Sequence, residues 1–447
     1  MLTRRKALAM SLGAAACATR PEHHRPGGRS PWLATVAPCE HNGSGRPGLY
    51  PQHNAFSVGS APDRFFAGQG CYNLITLDEQ HVVTVTAVIA ESGANAYPEV
   101  ICLDSNDLTP IWRRPAGGDQ AGDRWNYPGA VAALADGFIY AVVGSRLLKL
   151  ELFSGAEVGA LDLPCPQARR DVAYNGYVAL SDGRLLMKSI HRAPGCDIDG
   201  FTAFLQCGPA RRAPSIFVIV DPTRMQIDAT WSATDHVGGR VSVAASASGD
   251  TAYFVTPNRV HAVGVSERGF VPRPDWEPLP YRRDGEKPAT AVVPFGDYVV
   301  LQTNASPAAA PTRVIVVSTL DPALTWSCAP FEGSADRSFI PSKPSVDLEN
   351  NRIYAVDGYG GVAALDFDPQ HGLQVAWRDA DRSLSFTAVT GPASRRVLIQ
   401  TAMQDVVGAD AHGWPQYRAE VIVWRDAFSG TVLGRSEPLP IGPGLNM

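Results

Sequence analysis

Six of the stretches that connect one strand-like run of the 447-residue chain to the next set an acid beside an arginine: Asp63-Arg64, Asp123-Arg124, Arg170-Asp171, Arg283-Asp284, Asp336-Arg337 and Asp381-Arg382. A seventh stretch runs Asp235-His236 and then Arg240. Arginine carries a planar fork of donors that grips a carboxylate or phosphate through parallel hydrogen bonds. Two arrangements use such pairs. In one, each guanidinium is satisfied by a neighbouring carboxylate and the ring of pairs is structural, with little net field. In the other, the arginines line a mouth that holds an anionic group, with Trp125, Tyr127, His236, Lys343 and Tyr359 supplying stacking and orientation. The ligand-binding candidates are Arg64, Arg124, Trp125, Arg170, Arg240, Arg337, Lys343 and Arg382, and the general-base candidates are His236 and His191.

Other catalytic signatures are missing. The chain has no GxSxG elbow, no HExxH, no Walker loop and no GxGxxG set between strand and helix. A Ser/His/Asp set assembled from distant positions leaves no local signature. No CxxC or clustered Cys/His pair has zinc spacing, so no metal site is expected.

The composition narrows the classes further. Lys+Arg number 39 against 44 Asp+Glu, for a formal charge of -5, which lacks the basic surplus of a generic nucleic-acid binder. Apolar residues at 45% with 19% charged provide for a sizeable core. No apolar run reaches the ~18 to 20 residues of a membrane span, so no transmembrane segment is expected.

The first residues look like an address. Thr3-Arg4-Arg5-Lys6 precedes a short apolar stretch, Ala7 to Ala16, and then Cys17. A cationic start, a short apolar core and small residues before a cleavage point describe a signal peptide over 1–17. Its Thr-Arg-Arg resembles a twin-arginine signal, which implies folding before export to the periplasm or beyond. Cys17 doubles as a candidate lipobox cysteine and lipid anchor. Residues 18–31 read as a flexible leader. Of the remaining cysteines, Cys196 and Cys207 bracket a ten-residue loop and are the candidate local disulfide. The odd total leaves at least one free thiol, with Cys102 in a strand-like run the natural one.

Strand-like runs recur: Val82 to Val85, Phe138 to Val142, Ile216 to Val220, Val299 to Leu301, Val314 to Val317 and Val421 to Trp424. They are β-branched or aromatic, short, and bounded by Gly, Pro, Asp or Asn, and no helical period is sustained after the leader, so the fold is all-β. A longer unit repeats within this pattern. Its clearest copy runs from Ile353 through Tyr354, Gly360-Gly361 and Leu365-Asp366 to Gly372 and Trp377. This unit resembles the PQQ-like (quinoprotein-type) β-propeller repeat, in which an acid, a turn glycine and a tryptophan dock neighbouring blades. Asp104 and Trp112 keep that spacing; Glu151, Gly155 and Gly159, like Asp426, Gly430 and Gly434, keep it with glycine in place of tryptophan.

The anchors Trp112, Gly159, Trp231, Trp276, Trp326, Trp377 and Gly434 lie 47, 72, 45, 50, 51 and 57 residues apart. Four-stranded blades of roughly 40 to 50 residues then give seven blades in one propeller domain over 32–447, of the WD40/YVTN-like kind, with an enlarged blade around 160–231. An eight-bladed ring would need strands from residues 32–60. In the seven-bladed ring the N-terminal segment is expected to pair with the last C-terminal strand. Tryptophans at blade spacing are read as packing between blades. The enlarged blade carries an insertion over 190–213 suited to a partner contact or lid.

The resemblance implies two functions. Family propellers such as outer-membrane assembly lipoproteins use their faces to bind other proteins. Family dehydrogenases hold a PQQ-type quinone with adjacent cysteines and a calcium site, and this chain has no adjacent cysteine pair. The leading expectation is therefore an exported binding or assembly module, with a protein partner or small anionic ligand. The alternative is an enzyme with a site at the channel mouth, either a quinoprotein-like oxidoreductase or a lyase or hydrolase acting on an anionic substrate.

Overall fold

The computed structural model describes residues 30–51, 71–86, 98–116, 124–196, 212–246, 248–304, 311–331, 343–383, 386–409 and 415–439. The expected signal peptide, most of the leader, Arg64, Arg337 and Cys207 lie outside them. Seven sheets of four antiparallel strands succeed one another along the chain and form a seven-bladed propeller. The blades occupy residues 71–115, 128–162, 172–232, 242–280, 292–328, 345–379 and 388–435. Each is a meander of consecutive strands, apart from a two-stranded hairpin (Gly408–Ala409 with Pro415–Gln416) inserted in blade 7 and the short strand Leu279–Pro280, which pairs with the third strand of blade 4.

Burial separates inner from outer strands. The first strands of blades 2 and 3, Pro128–Ala133 and Val172–Ala179, are buried at every position. The fourth strands, such as Glu157–Asp162 and Gln226–Ser232, alternate exposed and half-buried residues, as one solvated face requires. Hydrophobic clusters sit between blades, one joining blades 1 and 2, the next blades 2 and 3, and so on to blades 6 and 7. A four-stranded sheet cannot bury both faces alone, so stacking against its neighbour is what makes a blade stable.

The expected anchors fall on fourth strands, except Trp276, which lies just after the short fourth strand Gly269–Val271 and packs edge-on against Tyr253. The docking geometry is visible at three junctions. Gly155 of blade 2 lies against the Trp112 ring of blade 1, Gly372 of blade 6 against Trp326 of blade 5, and Gly430 of blade 7 against Trp377 of blade 6. Trp377 Nε1 also donates to Ala427 O of the next blade at 3.0 Å.

The N-terminal segment departs from expectation. Residues 30–51 supply neither an eighth blade nor a partner for the last strand. They run through the centre of the ring. Leu33 N donates to Ala133 O, Thr76 N to Ala37 O, Ala133 N to Pro38 O, Val243 N to Ser44 O, Val346 N to Pro47 O and Val389 N to Gly48 O. Ser44 Oγ donates to Ala179 O, and Gly45 lies against Pro294. All seven inner strands are thus touched, and Leu49–Tyr50 adds to blade 7 as a parallel fifth strand beside Ala388–Thr390. Ser30 and Pro31, expected in the leader, are already docked: Ala135 N donates to Pro31 O. The physical reason is that inner strands converging on an axis leave backbone groups that need partners, and a threaded segment supplies them. The segment turns through left-handed residues at His41, Asn42, Gly43, Arg46 and Gly48. A side chain at Gly48 would overlap Ser345 Oγ, so only glycine fits that crossing.

Candidate functional site

The threaded segment carries Glu40 and Arg46 into the centre, where they meet charges from the blades. Glu40 accepts from Arg46 Nη1 and, at 2.7 Å, from Arg240 Nε. Arg46 also donates to Val241 O and Tyr177 O at 2.8 and 3.1 Å, and is 1% exposed. It reaches these carbonyls across a bulge at Gly176 in the first strand of blade 3. A Cβ there would stand 3.0 Å from Arg46 Nη2. Burial alone would raise the Glu40 pKa, but Arg240 and Arg46 outweigh it and hold the carboxyl down to about 2. Arg240 Nη2 reaches Tyr72 Oη at 3.5 Å, and Tyr72 shares a 2.9 Å hydrogen bond with Tyr127.

Phe386 is a hub beside this triad. Arg240 Cζ lies 5.3 Å and Lys343 Nζ 5.8 Å from its ring centroid, and the His41 ring meets it edge-on at 4.6 Å. Lys343 is 1% exposed, and among the described residues its ammonium has one acceptor, Pro344 O at 3.3 Å. Burial and the nearby Arg46 lower its pKa to about 7. A second buried lysine, Lys188, donates to Asn175 Oδ1 and, at 2.6 Å, to Val237 O. Burial, then Arg240 and Arg46, push it well below the ordinary lysine range.

The expected site residues are only partly brought together. Arg240 and Lys343 converge at the centre. Trp125 is fully buried in the cluster between blades 1 and 2, 5.1 Å from Tyr127, and acts there as core. Arg124 pairs with Asp162 at 3.0 Å, Arg170 is exposed, and Arg382 packs over Tyr359. The acids beside these arginines find other partners. Asp171 accepts from Arg192 Nε, and Asp381 from Arg425 and Arg435. Arg192 lies 21 positions from Asp171 and Arg425 44 from Asp381, so each acid is taken by an arginine that the fold brings to it from afar.

His191 and His236 stand with ring centroids 5.7 Å apart. His191 Nδ1 faces Ala213 O at 2.8 Å, its Nε2 faces Ser189 Oγ at 3.0 Å, and its backbone N donates to His236 Nε2 at 3.2 Å. Burial lowers their pKa values to about 4 and about 2, so both rings are neutral at pH 7. The lone pair a general base needs is already engaged in each ring.

Glu40, His41, Arg46, Lys188 and Phe386 were missed from sequence. Glu40 and Arg46 are the only charged residues of the Gly/Pro-rich stretch 38–48, which reads as loop, and nothing in its composition singles them out.

No family model matches the sequence, and no curated relative does. Solved structures do. Quinohemoprotein alcohol dehydrogenase from Comamonas testosteroni superposes with a TM-score of 0.56 at 10% identity, covering 93% of this chain and 74% of that one. The likeness is one of fold. BamB from Moraxella catarrhalis aligns at 14% identity and TM-score 0.43, covering 85% of this chain and 96% of its own. A europium-containing methanol dehydrogenase aligns at 8% and 0.41, covering 84% and 90%.

A quinone beside a metal ion is what the quinoprotein-type resemblance of the repeat implies. Among the described residues no three His, Cys, Asp or Glu side chains group to hold a metal ion, and the central carboxylate is already taken by two guanidiniums. The donor set of the described residues does not fit that pair of groups, and no chemistry is derived through them. No helix of the described residues is long and apolar enough to cross a membrane.

Proposed function

We propose that the chain is an exported member of the PQQ-like repeat family that works as a binding module for a protein partner or small anionic ligand, without chemistry of its own. The observation that carries this reading is the filled centre. A channel-mouth enzyme has to admit substrate along the axis, where residues 30–51 instead hydrogen-bond to inner strands around the ring. The twin-arginine-like start, the candidate lipid anchor at Cys17 and the expected Cys196–Cys207 bridge belong to the same reading. On that reading the ring works in the periplasm or outside the cell, free or tethered, with the 190–213 insertion as a contact element.

The test is native mass spectrometry of the protein taken from its exported fraction, followed by denaturation and by a dye-reduction assay with added PQQ and calcium. A binding module retains a polypeptide or a small mass and reduces no dye. PQQ-dependent turnover of an alcohol overturns the reading in favour of a quinoprotein oxidoreductase.

A further inference from the structure

We infer that Lys343, with His41 and Arg240 around the Phe386 ring, forms a binding site for one small oxyanion, a carboxylate or phosphate group. The inference rests on the binding reading above and names the ligand chemistry of the plugged centre.

Charge and hydrogen bonding both point there. Three cations, Arg46, Arg240 and Lys343, meet a single carboxylate, Glu40, whose oxygens are already spent on the two guanidiniums. A buried ammonium carries three donors, and among the described residues Lys343 satisfies one of them, against a backbone carbonyl at 3.3 Å. Among the same residues His41 Nε2 has no hydrogen-bond partner, and the nearest Glu40 oxygen is 3.6 Å away. Buried donors without acceptors and a buried charge without a counter-charge are both costly. An oxyanion resting on the Phe386 side of the cluster supplies the missing acceptors and the missing charge. Arg240, at 12% side-chain exposure, is the least buried of the three cations and marks the side open to solvent.

Such a site couples to pH. The groups facing Lys343 are Glu40, His41 and Arg46 from the threaded segment and Arg240 from the connection between blades 3 and 4. Glu40 stays ionised down to about pH 2, and His41 is held neutral well below 6.5 by burial and by the nearby cations. Tyr72 and Tyr127 are pushed above 10 by burial. Lys343 therefore carries the titration, losing its proton near pH 7 in the free protein. A bound anion favours the ammonium, so binding takes up a proton. Affinity is flat below about pH 7 and falls up to tenfold per pH unit above it.

Titration calorimetry with phosphate and with oxalate, at ionic strength held constant with chloride, tests the site from pH 6 to 9. The wild type is expected to bind one of the two probes saturably and to show the pH slope. Lys343→Arg should keep binding and lose the slope, because arginine stays charged, and Lys343→Met should lose binding at least tenfold. A wild type that binds neither probe at pH 6, or a response that Lys343→Met and Lys343→Arg leave unchanged, overturns the site. That failure is separable from failure of the binding module, because a partner retained in native mass spectrometry would persist in either variant.

Discussion

Replacing Glu40 by glutamine tests whether the threaded segment is held by charge. Glu40 is held down to about 2 from an ordinary 4.5, and at ~1.4 kcal/mol per pH unit that linkage is worth about 3 kcal/mol of folding stability. A second route gives the same size. Removing one partner of a buried ion pair leaves an uncompensated charge and costs about 3 to 5 kcal/mol. Here two buried guanidiniums, Arg46 and Arg240, lose their shared carboxylate. The sign follows from the depressed pKa: the contribution is fully present above pH 4.5 and is lost as pH falls from 4.5 to about 2. Urea unfolding followed by tryptophan fluorescence, for wild type and Glu40→Gln at pH 7 and stepwise to pH 2, isolates it from the other carboxylates. The difference should be about 3 kcal/mol at pH 7 and should shrink toward zero near pH 2. A difference below about 1 kcal/mol at pH 7, or one that does not change with pH, would refute the reasoning.

Three other outcomes follow from the geometry. Gly155→Ala puts a Cβ 2.5 Å from the Trp112 ring at a left-handed φ of 63°, so the junction of blades 1 and 2 should lose about 1 to 3 kcal/mol, read as a lowered thermal midpoint. Arg124→Ala should change stability by less than about 1 kcal/mol, since its partner Asp162 is half-exposed and is also held by Arg169. Chemical denaturation would show a large loss if that arginine instead anchored the ring. Alkylation of the denatured exported protein without reductant should label Cys39, Cys71, Cys102, Cys165 and Cys328, none of which is in a disulfide; reduction should add two labels, for Cys196 and Cys207. Labels at those two cysteines before reduction would exclude the bridge.

Much of the fold was legible because its signals are local. Val82 to Val85, Ile216 to Val220 and Val314 to Val317 fall in second and third strands, where β-branched side chains pack on both faces. Trp112, Trp231, Trp326 and Trp377 fall on fourth strands, since each blade repeats one packing problem and solves it with one residue type at one place. The site was much less legible. Asp381-Arg382 and Arg170-Asp171 looked like pairs because they are adjacent, yet Arg170-Asp171 sits in a short 3-10 turn and each acid pairs with an arginine distant in sequence.

By itself, then, the sequence determined the all-β class, the number of blades and the tryptophans between them, because these depend on period and residue type within some fifty neighbours. Only the tertiary structure decided that residues 30–51 thread the ring, that Glu40 joins Arg46 to Arg240 two hundred positions away, and that Lys343 lies buried beside Phe386. The reason is physical. A charge's partner in a propeller is set by which strands converge on the axis, and convergence of seven blades is a property of the closed ring that no single repeat encodes.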